Sequence, residues 1–354
     1  MNFMPKNVES GSAEPSLQPK SAPKSAREWM MVLAQYRGPK HRRSFFELAV
    51  TLIPFLMLWT AAAWSLSVSY FLTLAICIPA AGFLIRLFTI QHDCGHGAFF
   101  RDKALNDWVG RLLGVFTLTP YYVWRRSHSI HHASSGNLQK RGIGDVYTLT
   151  VAEYNAMPMG RRFAYQVFRH PVTLFLIGPI VLFVLQHRIP LEFMKSGWKF
   201  WASAMGTNIA IGLVIAGIIW KLGLGVFLMV YVPIVLMAAM IGIWLFYVQH
   251  QYEQTLWDKD EGWDMQEAAL YGSSYYALPQ PLQWLTANIG IHHVHHLNSR
   301  IPFYRLPQVL RDHPSLAKIN RLTLWQSFKS INLHLWDEGQ RKLVSFKEAR
   351  TKTA

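Results

Sequence analysis

The chain has 354 residues, 51% of them hydrophobic, with 14 Trp, 21 Phe and a formal net charge of +15. That apolar content points to a membrane protein with a single core and away from two soluble domains. The basic residues flank apolar runs instead of forming stripes interleaved with exposed aromatics, which argues against a nucleic-acid partner and for loops facing anionic lipid headgroups.

In chain order, residues 1–28 are polar, rich in Ser, Pro and Lys, and carry no cleavable signal peptide. They read as a disordered basic cytoplasmic tail, with one domain over 29–354. Four segments are long and apolar enough to span a bilayer: 45–64, 68–89, 200–220 and 224–248. The first two are joined by a short uncharged link, and the last two by a link whose one charge is Lys221, so both pairs predict transmembrane hairpins. Two further apolar segments, 108–118 and 172–185, are short. The first carries Arg111, and the second is interrupted by Gly178 and Pro179. Both cysteines, Cys77 and Cys94, lie in or beside apolar segments, which excludes a disulfide framework.

Histidine is concentrated in three clusters: His92 and His96; His128, His131 and His132; and His292, His293, His295 and His296. Residues three or four apart on a helix share a face, so each cluster presents imidazoles together, with Cys94 a small filler between the first two. His293 is turned about 100° from His292 and falls off that stripe. Eight imidazoles exceed the four ligands of a tetrahedral zinc; they suit two imidazole-binding metals with open positions, iron first. Ligands of one centre must share one side of the membrane, so an even number of crossings separates the clusters. Segments 108–118 and 172–185 are therefore expected to be interfacial or re-entrant. The tail (Arg37, Lys40, Arg42, Arg43), the 101–169 region and the C-terminal region are rich in Lys and Arg, which places them, all three clusters and both termini in the cytoplasm. The expected fold is an all-α integral membrane protein: two transmembrane helical hairpins (four spans), interfacial helices and a cytoplasmic helical cap.

The boxes His92-Asp93-Cys94-Gly95-His96, His128-Ser129-Ile130-His131-His132 and His292-His293-Val294-His295-His296 resemble those of the membrane-bound fatty acid desaturases. Gly144-Asp145-Val146-Tyr147 with Glu153-Tyr154, Phe246-Tyr247-Val248-Gln249-His250 and Gln283-Trp284-Leu285-Thr286 resemble the bacterial acyl-lipid branch. The resemblance implies a di-iron centre that uses O2 and two external electrons to place a cis double bond in lipid acyl chains. It implies His92, His96, His128, His131, His132, His292, His295 and His296 as ligands, with His250 as a ninth where the family places an additional one. In eukaryotic relatives an asparagine that bridges through water stands four residues earlier; here that residue is Phe246. Asp93, Asp145, Glu253 and His293 are candidates to support the ligating rings. Trp124, Arg125 and Arg126 are expected at lipid headgroups or at the donor's surface.

No Gly-rich dinucleotide fingerprint and no paired glycines after His170-Pro171 or His313-Pro314 are present, so electrons are expected from a separate ferredoxin, flavodoxin or similar donor with its reductase. The expected location is the inner (plasma) membrane. An acyl hydroxylase or a carotenoid ketolase/hydroxylase would share the boxes. A non-catalytic metal-binding membrane protein would need more polar residues in its spans than Glu47, Arg86 and Asn208.

Overall fold

The computed structural model describes residues 25–351, so most of the expected tail lies outside it. Helix α1 (Ala26–Leu33) begins at Ala26, its N-terminus capped by the Ser25 hydroxyl, which accepts from Glu28 N. Trp29 and Leu33 are buried against the rest of the molecule.

The first hairpin is built by α2 (His41–Ser65) and α3 (Tyr70–Gly95), each longer than a bilayer requires. Without water in hydrocarbon, every backbone N–H and C=O needs an internal partner, and these uniformly apolar runs meet that need as helices. α3 is the central element, half buried and packed on α2 and on helices from both later regions. Its arginine is satisfied inside the bundle. Arg86 pairs with Glu47 of α2, donates to Thr51 Oγ1 at 3.0 Å and lies 4.1 Å above the Trp284 ring.

After α3 come α4 (Lys103–Phe116) and α5 (Tyr121–Ser134). α4 contains most of the expected interfacial segment 108–118 and leaves Trp108 and Leu112 exposed while Leu113 is buried. Strand β1 (Leu149–Thr150) then leads through a capping box into α6 (Val151–Ala156), followed by α7 (Met159–Arg169).

The expected 172–185 segment is longer than the sequence suggests. A helical run covers Thr173–Phe193, with α8 (Gly178–Ile180) between two π-helical turns, and by length and apolarity it is a candidate span. Near its start Phe175 packs 5.1 Å from the rings of Trp244 and Tyr247, and near its end Arg188 donates to Leu118 O, just before α5.

The last two expected spans form one 53-residue run, Trp198–His250, containing α9 (Trp198–Val226) and α10 (Val232–His250). It leaves α5 where Ser203 Oγ accepts from Tyr122 N, and returns to α5 where His250 meets His131. The reversal falls at Gly223, whose φ of 88° and ψ of 160° break the helix in a conformation open to glycine.

The expected helical cap is mixed. It holds α11 (Met265–Tyr271), α12 (Gln280–Leu285) and α13 (His292–Leu297), but also two small sheets. β2 (Tyr275–Ala277) runs parallel to β3 (Arg321–Thr323). β4 (Leu335–Asp337) pairs in parallel with β1 and antiparallel with β5 (Lys342–Val344). α12 reaches the middle of α3: a Cβ on Gly82 would fall 2.4 Å from the Leu285 side chain. β2 is bonded to the segment just before α13, since Tyr276 N donates to Gly290 O, two residues ahead of the helix.

Candidate metal centre

Four elements deliver nine histidines to one buried region. The end of α3 supplies His92 and His96, α5 supplies His128, His131 and His132, the end of α10 supplies His250, and α13 supplies His292, His295 and His296. They sort into two groups. His92, His96, His128, His132 and His295 form one; His131, His250, His292 and His296 form the other, and within each group the nitrogens lie within 4.8 Å of one another.

The sorting follows helix geometry. Pairs four apart (92/96, 128/132, 292/296) stay in one group because they are only about 40° apart around the axis. The i+3 member of the second and third boxes, His131 or His295, diverges by about 100° from its neighbour and joins the other group. Each of these helices therefore contributes to both groups.

The nitrogens meet at short range. His128 Nε2 lies 3.0 Å from His96 Nε2 and 3.1 Å from His132 Nε2, which is 3.1 Å from His295 Nε2. In the second group His250 Nε2 is 3.1 Å from both His131 Nε2 and His292 Nε2, and His292 is 3.1 Å from His296. A chain of hydrogen bonds does not explain this pattern, because a neutral imidazole has one N–H and several of these have it turned outward. His131 Nδ1 meets Asp145 Oδ1 at 2.6 Å, and His250 Nδ1 meets Gly272 O at 3.1 Å. Both contacts aim an Nε2 lone pair inward. Lone pairs converging at this distance repel unless a cation sits among them. Two nitrogens about 2.1 Å from one ion and 3.0–3.1 Å apart subtend roughly 90–95°, whereas tetrahedral geometry would spread them to about 3.4 Å. A donor set of five imidazoles in one group and four in the other could hold metal ions.

Burial favours the neutral form of six of these rings. His96, His128, His132, His292, His295 and His296 are held well below the ordinary imidazole pKa, first by desolvation and then by the neighbouring histidines. Neutral rings are the metal-binding form.

The structure separates the expected supporting residues. Asp145 reaches His131 because Gly144, at φ +71°, lets the loop close on α5; a Cβ there would stand 2.9 Å from His131 Cβ. Asp93 Oδ1 is 3.3 Å from His92 Nδ1, and its Oδ2 accepts from Phe303 N at 2.7 Å. The Glu253 carboxylate instead pairs with Lys342 at 3.1 Å on the exposed surface. His293 joins neither group; its Nε2 lies 3.0 Å from Leu316 O, and burial lowers its pKa to about 4. Cys94 is buried outside both groups.

Trp124, Arg125 and Arg126 gather beside the first group. Trp124 stacks on His128 at 4.7 Å and 14°, and Arg125 pairs with Asp107 at 2.5 Å. With Arg126, Tyr122, Ser129 and Gly95 they line a cavity of about 360 Å³ that reaches His96 and His128. Phe246 lies 5.4 Å from His131 and 5.5 Å from His250, an apolar face over the second group. Arg169, which carries no motif signal, is buried behind that group and bonded to the residues flanking it.

Comparison with known proteins bears on this arrangement. Residues 69–328 match the fatty acid desaturase family model. A fatty acid desaturase of Bacillus subtilis (strain 168) is 45% identical over 317 residues, 89% of each chain. An sn-1 acyl-lipid omega-3 desaturase (ferredoxin) of Synechocystis sp. is 28% identical over 68% of each chain. An sn-1 oleoyl-lipid 12-desaturase from the same strain is 26% identical over 75% of this chain and 77% of its own.

Proposed function

This chain belongs to the fatty acid desaturase family, and we propose that it is an acyl-lipid desaturase whose nine clustered histidines hold two iron ions. The fatty acid desaturase activity follows from the family; the metal, oxygen and electron chemistry is our reading. One observation carries it: two groups of imidazoles whose Nε2 atoms converge, with neighbouring nitrogens as close as 3.0–3.1 Å, so that lone pairs face one another where a cation would be held.

When bound, the iron pair would supply the redox chemistry for a balanced reaction. An acyl –CH2–CH2– unit, O2, two electrons and two protons give –CH=CH– and two waters. The protein's own residues arrange this chemistry. His92, His96, His128, His132 and His295 would hold one ion, and His131, His250, His292 and His296 the other. Asp145 fixes the tautomer and aim of His131, as Gly272 O does for His250. Trp124 and Phe246 cover the rings with apolar faces that exclude water, while the cavity at His96 and His128 opens the first group towards Arg125 and Arg126. Lipid acyl chains are the substrate class that matches four candidate membrane-spanning runs. A relative whose name specifies ferredoxin supports a soluble one-electron donor, ferredoxin, flavodoxin or similar. Basic flanking segments support the inner membrane with the histidines on the cytoplasmic side and Thr173–Phe193 re-entrant.

The test combines metal analysis with lipid analysis of cells expressing the protein. About two irons per chain and new unsaturated lipid are expected. His131→Ala and His295→Ala should each abolish the product while the protein remains in the membrane. One zinc per chain, or full activity in either variant, overturns the reading.

A further inference from the structure

Arg169 ends α7 on the side facing the protein and is fully buried. Among the described residues it makes no ion pair, and every group its guanidinium bonds is neutral. Nη1 donates to Tyr147 O and Thr148 Oγ1, both at 3.2 Å. Nη2 donates to Gln251 Oε1 at 2.8 Å, Leu333 O at 2.9 Å and Tyr247 OH at 3.4 Å. A buried cation without a counter-ion is unfavourable, and an apolar side chain would fill the same space at no such penalty. What a planar fork of donors offers is simultaneous fixation of several segments.

The segments it joins flank one half of the histidine centre. Tyr147 and Thr148 follow Asp145, whose carboxylate meets His131 at 2.6 Å. Gln251 directly follows His250, and Tyr247 lies one turn before it on α10. Gln251 Nε2 also donates to Thr148 Oγ1 at 3.2 Å, closing a triangle of Arg169, Thr148 and Gln251. His131 and His250 stand 3.1 Å apart in the second group. None of the bonds of Arg169 reaches a residue of the first group or one that bonds its rings.

We propose that Arg169 is a positioning residue for the second metal ion: it locks the Asp145 loop to the end of α10 and so sets the distance between the His131 and His250 nitrogens. This rests on the two-ion reading above, and it extends that reading by making the two ions separately controlled. The first group keeps its geometry without Arg169; the second does not.

The experiment uses the full-length protein purified in detergent, with iron per chain measured by elemental analysis and folding checked by circular dichroism. Arg169→Met keeps the apolar stem and removes the fork. The expected result is a fall from about two irons to about one, because losing a support of metal ligands weakens binding roughly ten- to a hundred-fold. Asp145→Asn should give the same partial loss. The double variant should lose no more than either single one, since both act on the same ion. Two irons retained in Arg169→Met, or both lost together in a folded protein, overturns the proposal. If Arg169→Met does not fold, Arg169→Lys serves instead: it keeps the charge, cannot span both segments, and should still hold about one iron. A wild-type protein with fewer than two irons would count against the two-ion reading, not against the role of Arg169.

Discussion

Gly144→Ala tests the link between backbone conformation and the metal site. The residue sits at φ +71°, where an L side chain adds about 1–2 kcal/mol of strain. Its new Cβ would also stand 2.9 Å from His131 Cβ, against 3.4 Å or more for ordinary contact, so something must yield by at least about 0.5 Å. His131 Cβ cannot swing aside without moving α5, so the loop that carries Asp145 gives way. The 2.6 Å bond from His131 Nδ1 to Asp145 Oδ1 then stretches to about 3.1 Å, near the limit of a good hydrogen bond. Full loss of a bond to a carboxylate removes about 1.5–3 kcal/mol, so the stretched bond forfeits part of that, and a misaimed ligand weakens metal binding roughly ten- to a hundred-fold. Gly142→Ala is the control: it also has a positive φ, +114°, but its Cβ meets nothing nearer than Tyr147 at 3.9 Å. Iron per chain and thermal unfolding in detergent would be measured for both. The expected result is that both lose some stability and only Gly144→Ala loses iron. Equal iron contents in the two variants would refute the close-approach argument.

His250→Ala should lower iron content and unsaturated product, whereas His334→Ala, whose ring stacks on Phe346 away from both groups, should change neither; equal retention in the two would remove His250 from the centre. The metal-free protein should lose stability on acidification. Burial depresses the folded pKa values of His293 and His334 from 6.5 to about 4, so their contribution is present above about pH 6.5 and is lost as pH falls towards 4. Melting temperatures between pH 7.5 and 4 that stay flat would contradict that sign. Reporter fusions after Gln139 and after Arg350 should both report the cytoplasm, and one after Leu66 should not; opposite sides for the first two would mean that Thr173–Phe193 crosses the membrane.

Much of this protein is written in local pattern. Runs of more than 20 apolar residues between basic flanks become the long membrane helices, because unpaired backbone in hydrocarbon leaves no alternative. The i, i+3 and i+4 spacings of the boxes put imidazoles on one side of short helices, and His250 ends a span with no other polar purpose in view. Glycine at 144 and 223 is likewise visible as a letter, though its use is not. Helical period says that His131 and His132 diverge, but which ion each would serve depends on where α3, α10 and α13 dock. Asp145 and Glu253 look alike in sequence as acids near histidines. Only the packed structure turns one onto His131 and sends the other to Lys342, because a side chain's partner is set by elements distant in the chain. The same holds for Arg169, one arginine among many in a basic stretch until α7 buries it between the Asp145 loop and the end of α10. Periodicity is a property of neighbours in sequence, whereas the two-centre geometry arises from contacts more than 100 residues apart, such as His131 with His250.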